Sequence, residues 1–367
     1  MPGRKTDIKD AEWIADLLQH GLLRASFVPP APQRHLRELT RYRSTLLAER
    51  ARLVNRLHKV LEDTTLKLTA VVTNIMGLSA RDMLDALLQG ETNPEVLAKL
   101  ARGKLRKKRE DLEQALVGTV DDHHRFLRTR LLTHIDFLDE QVADCNDKIE
   151  QFVSAPSDEK TEPISLDAQQ QEQASLASTP VGTEAMLAQD RVPEDGPKVP
   201  LSYQQAIALL DSIPGVNQRI AEIIIAEVGT DMQRFPTAGH LASWVGICPG
   251  NHQSAGKQLG GTTRKGDRWL RQARISAAQG VMRTKDTYLS AQGRRLTHRR
   301  GKKRAVVAVA HTILIIAYHV LQRQQPYQDL GSNYFDERER STVERQSVRR
   351  LEQLGFKVTL ETAGEAA

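Results

Sequence analysis

The sequence predicts a mainly α-helical protein, and three features of its 367 residues support this fold class. First, residues 33–68 carry leucines at helical spacing among many Arg and Glu residues. Second, residues 305–321 form the longest apolar run of the chain. Third, apolar residues alternate in steps of four and three at Leu131, Ile135, Leu138, Val142, Cys145, Ile149 and Phe152, which is a three-heptad seam. Together these segments predict helices that pack on other helices.

The N-terminal half is predicted to contain a helical hairpin preceded by a short helix. Residues 7–20 show apolar residues at helical spacing and are followed by Gly21, which predicts an amphipathic helix. Residues 33–68 and the seam would be the two arms of the hairpin, and the seam would pack against either the other arm or another subunit. Between the arms we expect shorter helices, one of which begins at Asn93-Pro94.

A change in composition separates this half from a C-terminal domain. Residues 154–200 are rich in Gln, Ser, Ala, Pro and acidic residues, which predicts a disordered acidic linker. The domain that follows begins with two apolar helices around the turn Pro214-Gly215-Val216. This pattern is typical of a helix-hairpin-helix-like unit whose turn amides can face a phosphate, and plain packing explains it equally well.

Positive charge is concentrated in one part of the chain. The net charge is +6, yet residues 257–304 contain fifteen Lys and Arg residues against Asp267 and Asp286, so the rest of the chain is net acidic. Such a field is typical of a surface that binds a polyanion, usually nucleic acid. The candidate contacts are Lys257, Arg264, Lys265, Arg268, Arg299, Arg300, Lys302 and Lys303. A solvated basic face is the alternative, but the glycines and Trp269 within the run favour phosphate contact.

The sequence also disfavours several kinds of protein and site. The apolar run at 305–321 is shorter than a membrane span of about 20 residues and contains two histidines, so it predicts a buried helix. Residues 1–20 mix acidic and basic side chains without a signal-peptide pattern, which predicts a cytoplasmic protein. Cys145 and Cys248 cannot form a disulfide framework, and the histidines lack zinc-ligand spacing.

One serine stands out in the stretch CPGNHQSAGKQLGGTTRKGDRWLRQ, residues 248–272. Ser254 lies between a Pro-Gly turn and a glycine-rich basic run. A serine hydroxyl can attack a phosphodiester when cations stabilise the transition state, and glycines let the backbone approach a phosphate closely. The ordinary role of a serine in such a loop is to hydrogen-bond nearby backbone, and the residues alone leave both roles open.

Asp7 and Asp10 are candidate metal ligands. Three residues apart, they can place two carboxylates on one face of the first helix, where they could act as oxygen ligands for Mg²⁺. Alternatively, Asp7 caps the helix and Asp10 stabilises its positive N-terminal end. Spacing alone does not choose between these roles.

Two stretches of the chain resemble one family. The first consists of IPGVNQRIAEIIIAEVGTDMQRFPTAGHLASWVGICPGNHQSAGKQLGGTTRKGDRWLRQ and, further on, KDTYLSAQGRRLTHRRGKKRAVVAVAH. Over residues 201–336 it is similar to the C-terminal domain of the DEDD-type insertion-sequence transposases, which are bridge-RNA-guided recombinases related to the pilin-gene invertases. The second, KTDIKDAEWIADLL, resembles the closing Asp-x-x-Asp segment of that family's RuvC-like domain.

The resemblance implies both a fold and a function. The fold would combine a ribonuclease-H/RuvC-like α/β domain, a coiled-coil hairpin and a helical transposase domain. In this chain the segments would be 1–30 (the end of the RuvC-like domain), 31–153 (helical and coiled-coil), 154–200 (linker), 201–336 (serine-bearing transposase domain) and 337–367 (tail). The function would be DNA strand exchange with Ser254 as the nucleophile and with Asp7 and Asp10 as Mg²⁺ ligands. The partners would be DNA, a structured guide RNA and further copies of the chain in a dimer or tetramer.

The chain departs from the family pattern at its N-terminal end. In the family an Asp and a later Glu lie on strands ahead of the Asp-x-x-Asp helix, whereas this chain starts at that helix. We therefore expect an N-terminally truncated transposase that is inactive until those two acids are supplied. The alternative is a non-catalytic DNA- or RNA-binding oligomer. A junction nuclease that uses metal alone would leave Ser254 without a role.

Overall fold

The computed structural model describes residues 7–23, 28–118, 121–155, 200–248, 252–254, 257–260, 263 and 266–359, without the side chains of residues 252–254, 257–260 and 343. The described chain is mainly helical, as predicted, and also contains one two-stranded antiparallel sheet. The predicted acidic linker lies almost wholly at residues 156–199, outside the described residues.

The helices of the N-terminal half follow the predicted order. They are α1 Asp7–Gln19, α2 Ala31–Asp63, α3 Leu68–Val71, α4 Leu78–Leu88, α5 Pro94–Lys99, α6 Arg109–Ala115 and α7 Asp122–Ser154, with a 3-10 turn at Gly103–Lys108 before α6. Asn93 caps α5 through its side chain, which accepts from the backbone N–H of Glu95 and confirms the predicted helix start. α2 ends five residues earlier than predicted, because Thr65 adopts a left-handed φ of 61° that a helix cannot continue through.

The two long helices, α2 and α7, pack against each other as an antiparallel hairpin. The buried α7 residues include five members of the predicted seam, namely Ile135, Leu138, Val142, Cys145 and Ile149. The facing buried leucines of α2 are Leu36, Leu46, Leu53, Leu57 and Leu61. The seam therefore packs on the other arm of the same chain. At its N-terminal end the buried position is Leu132 and not Leu131, since a straight α-helix drifts away from a strict seven-residue repeat.

A small group of helices closes one end of the hairpin, which we call the distal end. α3, α4, α5 and α6 share a hydrophobic core with α2 and α7, in which Leu84, Leu97 and Leu112 are almost fully buried. Polar contacts also hold these helices to one another and to α7. Lys67 N donates to the Ala115 carbonyl oxygen at 2.9 Å, and Arg81 Nη2 lies 2.7 Å from Asp136 Oδ2 on α7.

The C-terminal region forms a second core around one apolar helix. Its helices are α8 Tyr203–Asp211, α9 Gln218–Val228, α10 Ala238–Trp244, α11 Arg268–Val281, α12 Tyr288–Arg300, α13 Lys302–Arg323, α14 Tyr334–Arg338 and α15 Arg340–Gln353. α13 packs against α8, α10, α11 and α12. By length and composition α13 could span a membrane, but 72% of its most apolar window is buried inside the protein. The predicted buried helix at 305–321 is confirmed.

The turn between α8 and α9 packs tightly on α11. Gly215 has a φ of +88°, and a Cβ there would lie 2.6 Å from the carbonyl oxygen of Ala277 and 2.8 Å from the Cβ of Val281. Only glycine fits this approach. The geometry therefore favours packing over phosphate contact as the reason for the Pro-Gly-Val turn.

The other end of the hairpin, its base, is embedded in the C-terminal core. Leu36 and Ile149 belong to the same hydrophobic cluster as α8 to α13. A buried ion pair joins the two regions, because Arg43 Nη1 lies 2.6 Å from Glu222 Oε2 on α9 and both side chains are at most 5% exposed. Although a long linker separates hairpin and C-terminal region in sequence, side-chain contacts fix one to the other.

Replacing Ile135 or Val142 with Asp should unfold the hairpin. Each change buries a carboxylate in an apolar interface and removes packing, which we expect to cost about 3 kcal/mol or more. The loss should appear as a lower midpoint in urea denaturation followed by far-UV circular dichroism. Phe137→Asp is the matched control, because Phe137 lies on the same helix but is 52% exposed. Equal midpoints for Ile135→Asp and Phe137→Asp would contradict the packing of the seam.

Candidate functional site

Ser254 lies on a short β-hairpin, which we call the serine hairpin. Its strands are β1 His252–Ser254 and β2 Lys257–Gly260, which pair antiparallel with an irregularity between His252 and Gln253. In this register Ser254 stands opposite Lys257. Directly opposed residues of an antiparallel pair have Cα atoms about 4.5 to 5.5 Å apart. The backbone thus brings one predicted cation next to the candidate serine, while Arg264 and Lys265 lie outside the described residues.

Two described residues on either side of the serine hairpin in sequence, Val245 and Gly266, lie in direct contact. Gly266 approaches the end of α10 so closely that a Cβ would lie 2.0 Å from the carbonyl oxygen of Val245. The next residue, Asp267, caps α11 by accepting from the backbone N–H of Leu270 at 2.7 Å. We call this contact, together with Asp267, the neck.

Arg41 of α2 connects this neck to the base of the long hairpin. Its Nη2 donates to Asp267 Oδ2 at 3.2 Å, and its Nε and Nη2 donate to the two carboxylate oxygens of Glu227 at 2.7 and 2.8 Å. Burial raises the pKa of Glu227, whereas the hydrogen bonds from Arg41 act in the opposite direction. This network could not be predicted from the sequence, because Arg41 and Glu227 are 186 residues apart and no local pattern links them.

Arg274 is one of the fifteen cations of residues 257–304, but it does not contribute to the surface that this charge predicts. It is 1% exposed, and its Nε donates to the Leu270 carbonyl oxygen one turn earlier on α11. Its Nη1 has no hydrogen-bond partner among the described residues. Burial, and to a lesser degree repulsion from Arg271, lowers the pKa of Arg274 to about 10. Both arginines line a cavity of about 10 Å³ behind the neck, which is about the space of a single water.

Exposed cations gather where α12 meets α13. This group, which we call the basic corner, consists of Arg299, Arg300, Lys302, Lys303 and Arg304, all exposed, around Gly301. The first turn of α13 contains no acidic residue, so the positive end of its helix dipole adds to the field of the cations. Within the described part of the chain none of the five forms a salt bridge. The structure therefore presents four of the predicted nucleic-acid contacts on one surface.

Not every cation of the basic run is free to bind a ligand. Arg295 Nη2 lies 2.8 Å from Glu339 Oε2, and its guanidinium stacks over Phe335 with 5.0 Å between Cζ and the ring centre. The hydrogen bond from Arg295 also lowers the pKa of Glu339. Arg268, a predicted contact, is exposed, and its Cζ lies 4.3 Å from the ring centre of Trp269. Fewer than the fifteen cations counted in the sequence therefore contribute to the positive surface.

The two tryptophans near the serine hairpin differ in their surroundings. As large apolar residues, both are predicted by the sequence to lie in the core, although either could stack on a base if exposed. Trp269 is partly buried, but for Trp244 the prediction is wrong, because its side chain is 51% exposed, with its ring centre 5.7 Å from that of Phe235. α10 is a helix of two turns on the surface, so only part of a residue as large as tryptophan can reach the core.

Asp7 and Asp10 lie in the first turn of α1, and both are exposed. Because α1 begins at Asp7, this residue is inside the helix, and the two carboxylates share one face as predicted. Such a pair fits two oxygen ligands of a hard divalent cation. Within the described residues no group of three or more His, Cys, Asp or Glu residues could hold a metal ion. α1 buries none of its residues, and the structure does not bring it together with the serine hairpin.

Two family models match the chain. Residues 207–294 match the model described as "Transposase IS116/IS110/IS902 family", and residues 1–65 match the IS110-type DEDD model described as "Transposase". The first match contains α9, the serine hairpin and α11. The second contains α1 and all of α2. Both candidate sites therefore fall within regions that are similar to transposase domains.

Individual relatives agree with these matches. The chain is 34% identical over 122 residues to the "Transposase for insertion sequence element IS1111A" of Coxiella burnetii, covering 32% of this chain and 33% of that protein. It is 28% identical over 123 residues to the "Pilin gene-inverting protein" of Moraxella bovis, covering 33% of this chain and 38% of that protein. The matches thus span little more than a third of either relative.

Proposed function

We propose that the chain, two regions of which match transposase models of the IS116/IS110/IS902 and IS110-type DEDD kinds, is a DNA transposase/recombinase that excises and inserts an insertion sequence by strand exchange. The observation that carries this proposal is the placement of Ser254. It lies opposite Lys257 on the serine hairpin, which is flanked in sequence by the contact between Val245 and Gly266, in a region whose surface carries the basic corner. A nucleophile, a neighbouring cation and a polyanion-binding surface are the parts that phosphodiester transfer needs.

The proposed reaction has two balanced steps. In the first, the Oγ of Ser254 forms a bond to a DNA phosphorus, the bond from that phosphorus to a sugar oxygen breaks, and the serine proton is transferred to the departing oxygen. In the second, a sugar hydroxyl of the new partner strand forms a bond to the same phosphorus, the bond from that phosphorus to the Oγ of Ser254 breaks, and the hydroxyl proton is transferred to the serine oxygen. The number of phosphodiester bonds is unchanged, so no external energy source is required. Lys257 would stabilise the additional negative charge on the phosphate oxygens.

A divalent cation fits the acidic pair on α1. The DEDD-type match suggests dependence on such a cation, and we propose Mg²⁺ because carboxylate oxygens are its preferred ligands. When bound, the cation would reduce the negative charge of the phosphate oxygens. Asp7 and Asp10 would supply two ligands. The family pattern places the others on an Asp and a Glu that precede the α1 helix.

Several partners follow from the proposal. DNA would be bound at the basic corner, and a structured RNA would guide the choice of site, as the family resemblance implies. The protein would act in the cytoplasm. The resemblance also implies an oligomer in which the metal site of one copy meets the serine of another, and α1, which buries none of its residues, leaves its acids open to a second copy.

One observation favours a second candidate function. Since the described residues contain no complete metal site, the chain could act as a non-catalytic DNA- or RNA-binding oligomer. In this second function the basic corner would still bind nucleic acid, and Ser254 would have no role. Binding is common to both candidates, so a binding experiment tests the shared part and a strand-exchange assay separates them.

Reversing Arg299, Arg300, Lys302 and Lys303 to Glu should weaken binding to duplex DNA at least about tenfold at physiological salt, because each cation releases condensed counterions on binding. If all four contact phosphates, the slope of log affinity against log salt should fall by about 3 to 4. Fluorescence anisotropy over a salt series measures both quantities. The control reverses four exposed cations elsewhere, Lys148, Arg345, Arg349 and Arg350. Equal weakening by the control, or none by the corner variant, would contradict the proposed surface.

A further inference from the structure

A second cluster of cations lies at the distal end of the long hairpin, far from the basic run that the sequence analysis selected. We call it the tip cluster and define it as Lys104, Arg106, Lys107, Lys108 and Arg109. All five side chains are exposed, and no acidic residue interrupts them. In the sequence this stretch does not stand out as basic, because its charge is diluted by the acids that follow in α6.

The tip cluster is part of a folded element. Its residues form the 3-10 turn Gly103–Lys108 and the start of α6. Leu105 packs against the distal core, and Leu112 of α6 is fully buried. Arg106 Nε donates to the Ala101 carbonyl oxygen at 3.4 Å. The fold therefore holds several like charges together, which lowers stability unless a counter-charge is present.

Three acids of the hairpin and its distal helices are paired with arginines outside the cluster, and Glu113 of α6, like Glu110 and Asp111, forms no salt bridge with the cluster within the described residues. Asp136 pairs with Arg81, Asp139 with Arg50, and Asp82 with Arg102. By contrast, none of the five tip cations forms a salt bridge within the described ranges. Glu110 and Asp111 follow the cluster and lie in the first turn of α6, where they stabilise the positive end of that helix.

A basic groove lies on the same half of the hairpin. It has a volume of about 400 Å³ and lies between α2 and α7. Its exposed cations are Arg56, Lys59 and Arg130, and its apolar lining includes Leu53 and Leu131. Exposed cations beside an apolar lining can bind a nucleic-acid strand, because such a strand combines charged phosphates with apolar sugar edges. The groove extends the positive surface of the distal end beyond the tip cluster.

We propose that the distal end of the hairpin, through the tip cluster, is a second nucleic-acid binding surface that contacts the phosphate backbone of a duplex. The inference rests on the proposed function, since it supplies the same protein with another contact to its nucleic acid. Twenty residues of α2 separate Arg43, which contacts the C-terminal core, from Asp63 at the distal end, a rise of about 30 Å. The two surfaces would therefore engage separate parts of one long duplex, or two different duplexes.

The test uses the full chain with Lys104, Lys107 and Lys108 changed to Glu. Affinity for a duplex of about 40 base pairs is measured over a salt series, in one arm as DNA and in the other as RNA of the same sequence. We expect at least a tenfold loss at physiological salt and a fall of about 3 in the salt slope in one or both arms. The arm that shows the loss identifies the ligand. The charge-matched control carries Lys148→Glu, Arg349→Glu and Arg350→Glu, and it should lose less than threefold in each arm.

The outcomes separate this inference from the proposed function. If the tip variant keeps full affinity in both arms while the basic-corner variant loses it, the distal surface is overturned and the proposed function stands. If neither variant loses affinity, both proposals fail. If the tip variant loses no more affinity than the control, the loss is an effect of overall charge, and the proposal of a distal binding surface is also overturned. Unchanged far-UV circular dichroism and thermal midpoint show that the tip variant is folded.

Discussion

Ser254→Ala should abolish strand exchange and leave nucleic-acid affinity nearly unchanged. Without the hydroxyl no covalent intermediate can form, so the rate should fall by at least about a thousandfold, as is typical when a nucleophile is removed. The affinity should change by less than about threefold, because one hydroxyl contributes little beside the cations of the basic corner. Recombination between matching DNA ends, with guide RNA present, measures the first effect, and anisotropy measures the second.

The controls for this prediction come from the same chain. Ser276→Ala removes an exposed hydroxyl from α11, close to the neck in sequence, and should leave the rate unchanged. Asp7→Ala and Asp10→Ala should abolish strand exchange and also leave affinity intact. The assay is run on the 367-residue chain and on the same chain with the Asp- and Glu-bearing strands of a relative joined to its N-terminus. Normal strand exchange by Ser254→Ala in whichever form is active would remove the serine from the mechanism.

Glu222→Ala should destabilise the protein by about 3 to 5 kcal/mol, since it leaves the buried guanidinium of Arg43 without its counter-charge. Arg43 is 2% exposed, and the Oδ1 of Asn146, 3.2 Å from its Nη1, is neutral and cannot compensate for the lost carboxylate. The pair joins α2 to α9, so the loss should loosen the base of the hairpin. Urea denaturation followed by circular dichroism measures it.

A double variant tests whether the cost comes from the buried charge that is left unpaired. Replacing both Arg43 and Glu222 with Met removes both charges and keeps most of the volume, so it should cost less than either single change. Arg50→Ala serves as the comparison for a more exposed pair, because the side chain of its partner Asp139 is 45% exposed. We expect Arg50→Ala to lower the free energy of unfolding by about 1 kcal/mol or less. A cost below about 1 kcal/mol for Glu222→Ala would show that the buried pair does not hold the base together.

Local patterns in the sequence predicted most of the helices. The spacing of apolar residues located α1, α7 and α13, and the Asn-Pro pair located the start of α5. These signals are reliable because helix periodicity and capping depend on residues at most four positions apart. The seam also predicted which face of α7 is buried, but it could not show whether the partner was the other arm or another subunit.

Features that depend on distant residues could not be predicted. Arg274 looks like any other cation in a basic run, and only the packing of α11 against α13 shows that it is buried. The Arg41 network joins residues from three elements that are distant in sequence. Trp244 was assigned to the core by its residue type, whereas its exposure depends on where α10 lies on the surface. In each case tertiary contacts decided the outcome.

For the candidate site, the sequence predicted the residues, and the structure added their register. Lys257 was among the cations expected near Ser254, and the register of the serine hairpin places the two residues directly opposite each other. Asp7 and Asp10 were expected to share a helix face, which they do. How the α1 acids relate to the serine followed only from the family resemblance, because no local pattern relates α1 to β1.

The central claim, that Ser254 becomes joined to DNA, is tested most directly by trapping the covalent intermediate. A nicked DNA substrate, from which the released strand diffuses away after cleavage, prevents the second step. The 367-residue chain and its N-terminally extended form are each incubated with this substrate and Mg²⁺, digested, and analysed by mass spectrometry. The account predicts a nucleotide-linked peptide with the phosphate on Ser254, absent from Ser254→Ala. Recombination without a linked peptide, linkage to another residue, or no cleavage by either form would contradict it.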